Sequence, residues 1–221
     1  MNEKNYFYHG SISADIVELK ASSLLHGTDK TVVYLTDNIP YALFYIWDEN
    51  HNNYNRKFVT GWIKNNIACY EEMFPNQLET FYKGVSGYLY CIEKSTDISA
   101  VKGREAMYYS ETDILVSHAV HISDIYQELM KLEALGKFKL FRFNEQSEEK
   151  QNELIDKSAG IIIKSDFFKN DQEKLKFYKN ILQQLGSVQL HIIKNFSIDA
   201  NNFTDKITLS RVIKPNMPAY T

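Results

Sequence analysis

The 221 residues are 44% hydrophobic and 24% charged, and Lys+Arg 25 against Asp+Glu 28 leaves a net charge of only -3. That balance suits a globular chain long enough for one large core, and it lacks the basic excess by which nucleic acid or an anionic membrane is held. Apolar runs such as residues 159–163 fall far short of the roughly 20 residues that span a bilayer, and the first ten residues have no apolar signal core, so a cytoplasmic chain with no membrane contact is expected.

In chain order, NYFYHG reads as a strand, and Ser13 is placed to cap a short helix reaching Leu19. KTVVYLTD predicts the next strand, ended by Asp37-Asn38, and Pro40 then opens a helix over YALFYIWDE. FVTGWIK and NIACYEEM alternate like a hairpin, GYLYCIEK follows, and ETDILVSHAVHI reads as one long strand. Past Ser123 the period changes. Ile125, Leu129, Leu132 and Leu135 share one helical face, and Gly136 closes it. KFKLFRF is strand-like, and a charged helix is predicted over residues 145–158, followed by GIIIK. A further amphipathic helix over about 171–185 carries Leu175, Tyr178, Leu182 and Leu185, ahead of a strand-like SVQLHIIK and a loose tail. Many short strands with few helices predict an α+β protein, with residues 1–128 as one domain and 129–221 as a mixed helix/strand extension packed on it.

Some residues are set aside by their surroundings. Cys69 and Cys91 read as buried thiols. His118 and His121 supply too few ligands for a metal, and none is expected. Glu71-Glu72 and residues 148–150 read as solvated surface, and residues 51–57 as a polar loop, either over a cleft or merely connecting. With 15 Tyr and 13 Phe, more aromatic surface is present than a core alone calls for.

That surplus gives one pattern its interest. His9 and Gly10 end the first strand, Tyr34 and Asp37 end the second, Tyr45 follows eleven positions after Tyr34, and Glu111 leads a later apolar segment. In this order the residues resemble the ADP-ribosyltransferase superfamily, in the His-Tyr-Glu branch that includes the poly(ADP-ribose) polymerases and diphtheria toxin. The resemblance covers about residues 5–128. It implies a split antiparallel β-sheet core with peripheral helices, NAD as the substrate, and transfer of ADP-ribose to an acceptor (protein, nucleic acid or small molecule) or to water.

The chemistry asks for such residues. Breaking the nicotinamide–ribose bond develops oxocarbenium-like charge that a carboxylate stabilises, and a flat cationic ring is held by tyrosine faces. Carried over, the resemblance implies that His9 bonds the adenosine ribose and that Gly10, beside Ser11, bonds the nicotinamide amide through its backbone. Tyr34 and Tyr45 would flank the ring, and Glu111 would bond the nicotinamide ribose as the catalytic carboxylate. Two positions depart from the pattern. Ala42 stands where a serine commonly bonds the carboxamide, and Tyr109 stands where arginine-modifying members carry Glu or Gln. Asp113 is the alternative carboxylate. An RNA 2'-phosphotransferase ranks lower, because Arg56, Arg104, Arg142 and Arg211 are scattered. The reading from another class is a catalytically inactive nucleotide-binding or protein-interaction module on the same fold.

Overall fold

Alternation of side chains along the first strand decides what each face of the main sheet buries. The computed structural model describes residues 5–48, 51 and 60–164, with side chains as far as Ser158. The predicted helix at 171–185 and the strand after it lie outside those residues, as does nearly all of the polar loop at 51–57. Strand β1 (Tyr6–Ser11) sends Tyr8 into a large core with Leu43, Phe44, Tyr70, Tyr82, Leu129 and Leu154, and sends Phe7 into a smaller cluster with Val33, Leu35, Tyr90 and Ile92. Both faces are therefore covered, and the strand reads as nearly continuous aromatic sequence.

Around β1 the protein is α+β. Strand β1 pairs antiparallel with β7 (Gly87–Glu93) over six positions, from Tyr6↔Glu93 to Ser11↔Tyr88, and β11 (His118–Ile122) pairs the other edge of β7. On its far side β1 meets β4 (Thr31–Thr36), which carries β3 (Ser23–Leu24) and pairs with β9 (Met107–Ser110), and β8 (Ser99–Ala100) lies outermost. These seven strands form one antiparallel sheet. Strands β5 (Gly61–Lys64) and β6 (Ile67–Glu71) make a hairpin through Asn65 and Asn66, both at positive φ as a two-residue primed turn requires, and β12 (Phe138–Phe141) adds in parallel. A third sheet joins β2 (Glu18–Leu19) to β10 (Ile114–Leu115).

Four helices are described: α1 (Ile39–Leu43), α2 (Gln77–Tyr82), α3 (Ile125–Ala134) and α4 (Glu148–Lys164). Helix α3 buries Ile125, Leu129 and Leu132 as its period predicts, and Gly136 ends it at φ +71, but Leu135 turns outward at 69% exposure. Leu132, Phe138, Phe143, Leu154 and Ile155 enter the same core as Ala42 and Tyr70, and residue 128 falls inside α3. Among the described residues no helix is long and apolar enough to cross a membrane.

The structure departs from the sequence expectations where packing overrides local signals. The Ser13–Leu19 segment forms no helix: Asp15 sits at φ +58, in the left-handed region, and Glu18–Leu19 pair as β2, with Leu19 in the second cluster. Helix α1 stops after five residues. Phe44, Ile46 and Trp47 are all buried, and one helical face cannot bury positions so closely spaced. The long strand at 111–122 is cut into β10 and β11, which join different sheets. The charged helix runs on through GIIIK to Lys164, and α2 had no counterpart in the reading. Glu72 is no surface residue: it is 4% exposed, and its carboxylate accepts from the backbone N–H of Leu78 at 3.1 Å and of Phe143 at 3.2 Å.

Candidate functional site

Strands β1 and β4 touch at the single pair Tyr8↔Thr36, against six pairs between β1 and β7. Beyond that pair the imidazole of His9 occupies the gap, its Nδ1 lying 3.0 Å from the backbone oxygen of Tyr34. A carbonyl only accepts, so Nδ1 carries the proton and Nε2 of the neutral ring is an acceptor. Burial pushes the His9 pKa below its ordinary value, with the bond to Tyr34 acting the other way. The ring is therefore neutral at neutral pH, and its Nε2 can accept a hydrogen bond.

Gly10 has a packing reason to be glycine. A Cβ there would fall on the backbone oxygen of Ala42 and within 2.9 Å of Ile46, so α1 lies directly on this strand. Ala42 itself is 1% exposed, its methyl group enclosed in the main core. Ser11 Oγ is engaged locally, accepting from the N–H of Ser13 at 3.2 Å.

The α1 side of β4 and β9 carries tyrosines. Val33 and Leu35 enter the second cluster, so Tyr34 between them faces the other way, and its cross-strand partner Tyr109 shares that face. The Tyr34 hydroxyl donates to Leu24 O at 3.1 Å and accepts from His26 N at 3.1 Å. Tyr45 follows α1 and is 53% exposed. Its ring meets that of Tyr41 edge-on at 5.5 Å, and its hydroxyl donates to that of Tyr41 at 3.2 Å. Burial of the hydroxyl, then Tyr41, push the Tyr45 pKa well up, while the Arg104 guanidinium pulls it back, and Tyr34 also acts on it. Although 53% of the Tyr45 residue is exposed, its hydroxyl is engaged by that of Tyr41. Tyr41 reaches on to Met107 Sδ at 3.8 Å.

Glu111 stands at the turn between β9 and β10, one residue past the pair Val33↔Ser110. Its side chain is 47% exposed, and Oε1 accepts from Lys30 Nζ at 2.7 Å. The bond raises the Lys30 pKa, and Tyr109 contributes in the same direction. Asp113 is engaged elsewhere: it accepts from Lys20 Nζ at 2.8 Å and from Ala21 N at 2.9 Å, the lysine bond first among the causes that lower its pKa. It staples the edge of β2 to β10. His118 and His121, three apart on a strand, point to opposite faces and rest against Tyr6 and Tyr88, each at 5.1 Å.

Tyr34 and its cross-strand partner Tyr109 thus share one face of β4 and β9, Glu111 stands at the end of that ladder bonded to Lys30, Tyr45 stands beside Tyr41 after α1, and His9 lies at the strand gap against the Tyr34 carbonyl. Tyr41, Tyr109 and Lys30 stand beside these residues; Tyr41 and Lys30 were not singled out from the sequence, and Tyr109 was noted only for lacking the Glu or Gln of arginine-modifying members. Two of them were findable. Tyr41 precedes Tyr45 by one helical turn, and Tyr109 alternates with Glu111 along a strand. An open groove of about 520 Å³ lies on the opposite side, lined by Ile92, Asp97, Ser110, Asp113 and Ile114 among others. It holds no tyrosine; of its carboxylates Glu93, Asp97 and Asp113, the last is bonded to Lys20 and Ala21, and the tyrosine face is the one that offers ring surfaces to a flat cation. No family model, curated protein or solved structure matches this chain.

Proposed function

We propose that the protein is an NAD-dependent ADP-ribosyltransferase, on a split-sheet fold of that superfamily, working in the cytoplasm by mono-ADP-ribosyl transfer or NAD hydrolysis. The observation that supports the proposal is that Tyr34 and Tyr109 share one face of the β4–β9 ladder, at whose end Lys30 bonds Glu111, beside the place where β1 and β4 part after the single pair Tyr8↔Thr36. The nicotinamide ring lies against Tyr34 and Tyr45, which hold its positive charge by their π faces, each contact contributing about 0.5–2 kcal/mol. The C1'–N1 bond then breaks. Its electron pair leaves with nicotinamide, which becomes neutral, and positive charge develops on the ribose. Glu111 stabilises that charge through its free oxygen. The acceptor's lone pair closes on C1', and its proton passes to solvent. Nε2 of His9 accepts from a hydroxyl of the adenosine ribose.

One feature favours a second reading. With Ala42 in the serine's place the site lacks one carboxamide hydrogen bond, worth about 0.5–1.5 kcal/mol, which suits a module that holds a nucleotide without turning it over. Calorimetric titration with NAD+, together with chromatographic detection of nicotinamide, separates the two. Binding with release is the expected result. Binding without release supports the inactive module, and absence of binding removes both readings.

A further inference from the structure

The loop between β3 and β4 is tied to two of the site residues at once. Its hairpin is closed by Leu25 N donating to Lys30 O at 2.8 Å and braced inside by Thr28, whose N–H and Oγ both donate to Leu25 O while Oγ accepts from Lys30 N at 3.2 Å. Gly27 makes the corner at φ +78. From this braced loop Leu24 and His26 grip the Tyr34 hydroxyl, and Lys30 grips Glu111. On the other side of Glu111, Ser110, 2% exposed, accepts from Thr112 N at 3.2 Å and donates to Thr112 O at 2.8 Å, which fixes the turn that presents the carboxylate.

We infer that Lys30 is a positioning residue for Glu111, and that the Leu24–Lys30 loop sets the carboxylate and the Tyr34 ring in one fixed relation. The inference rests on the reading of Glu111 as the carboxylate that meets the ribose. Glu111 is half exposed and sits on a turn, so without a second anchor its side chain samples several rotamers, and a site carboxylate must be held to within a fraction of an ångström. The lysine occupies Oε1 and leaves Oε2 free. Its positive charge opposes the charge forming on the ribose, but both partners stand half in water, 54% and 47% exposed, where such terms are screened. Geometry is not screened, so positioning outweighs opposing charge.

The test compares Lys30→Met and Lys30→Arg with the unaltered protein, reading single-turnover nicotinamide release and NAD+ affinity separately. Lys30→Met is expected to slow release by about tenfold with affinity changed by less than about twofold. Lys30→Arg, which can still donate to Oε1, restores release to within about twofold of the unaltered rate. A release rate in Lys30→Met equal to or above that of the unaltered protein overturns the inference, as does Lys30→Arg being as slow as Lys30→Met. If the unaltered protein itself neither binds NAD+ nor releases nicotinamide, the reading of the site fails and the positioning role falls with it. If it turns over normally and the variants do too, only the role of Lys30 is lost.

Discussion

Glu72 and Glu111 are the same side chain in opposite circumstances. Glu72 is 4% exposed and accepts from two buried backbone N–H groups that link the end of β6 to α2 and to the turn at Phe143. Burial raises its pKa while those bonds lower it. Glu111 is half exposed and has one lysine partner. The tyrosines divide in the same way. Tyr70 and Tyr82 are fully buried beside Phe44, with Tyr82 donating to Phe44 O at 2.9 Å, whereas Tyr45 is 53% exposed. A carboxylate or phenol whose bonds are all used inside the molecule contributes stability. One held by a single contact at the surface still has a face to offer a ligand.

Substitutions can break that contrast, and the largest expected effect is on the sealed side. In Gly10→Ala the new methyl meets the Ala42 backbone, and α1 must shift; such overpacking costs about 3 kcal/mol, and urea unfolding reads it as a lowered midpoint. Midpoints within error of each other would mean that α1 slides freely on β1. Glu72→Gln comes next. The amide replaces one acceptor by a donor, so one buried N–H is left unpaired at a cost of about 2 kcal/mol, again read in urea, with Glu111→Gln expected to unfold at the original midpoint. Equal losses from the two glutamates would erase the distinction drawn here.

The smallest effect is a pH dependence. His9 has its pKa lowered by burial from the ordinary 6.5, so the unfolded chain takes up its proton first as pH falls. The stability contributed by the neutral ring is complete above 6.5 and is lost as the pH falls from 6.5 through the lower folded value. Replacing His9 with Gln should flatten that part of the stability profile. A profile unchanged by the substitution would mean that His9 is hydrated rather than enclosed.

How much of this was legible beforehand differs between the two regions for a physical reason. The α+β class, β1, β4, β6, β12 and α3 follow from alternation and period, which are local signals. The grouping of His9, Tyr34, Tyr45 and Glu111 comes instead from a resemblance to a known superfamily, not from a local signal. What local signals could not carry is which way a side chain faces after a break in pattern. Glu72 looked like surface because nothing near it in sequence announces the N–H groups of Leu78 and Phe143 that satisfy it. The strand at 111–122 looked continuous because its two halves are equally apolar, though they pair with β2 and β7. Lys30 lies 81 positions from Glu111, and only the β4–β9 ladder brings them together.

The central claim, that Glu111 acts on developing charge at a site that holds NAD+, is tested most directly by nicotinamide release from Glu111→Gln. The variant is expected to bind NAD+ nearly as the unaltered protein does and to release nicotinamide at least about 100-fold more slowly, because the lost charge acts mainly in the transition state. Release at the unaltered rate, with affinity likewise unchanged, would contradict the account.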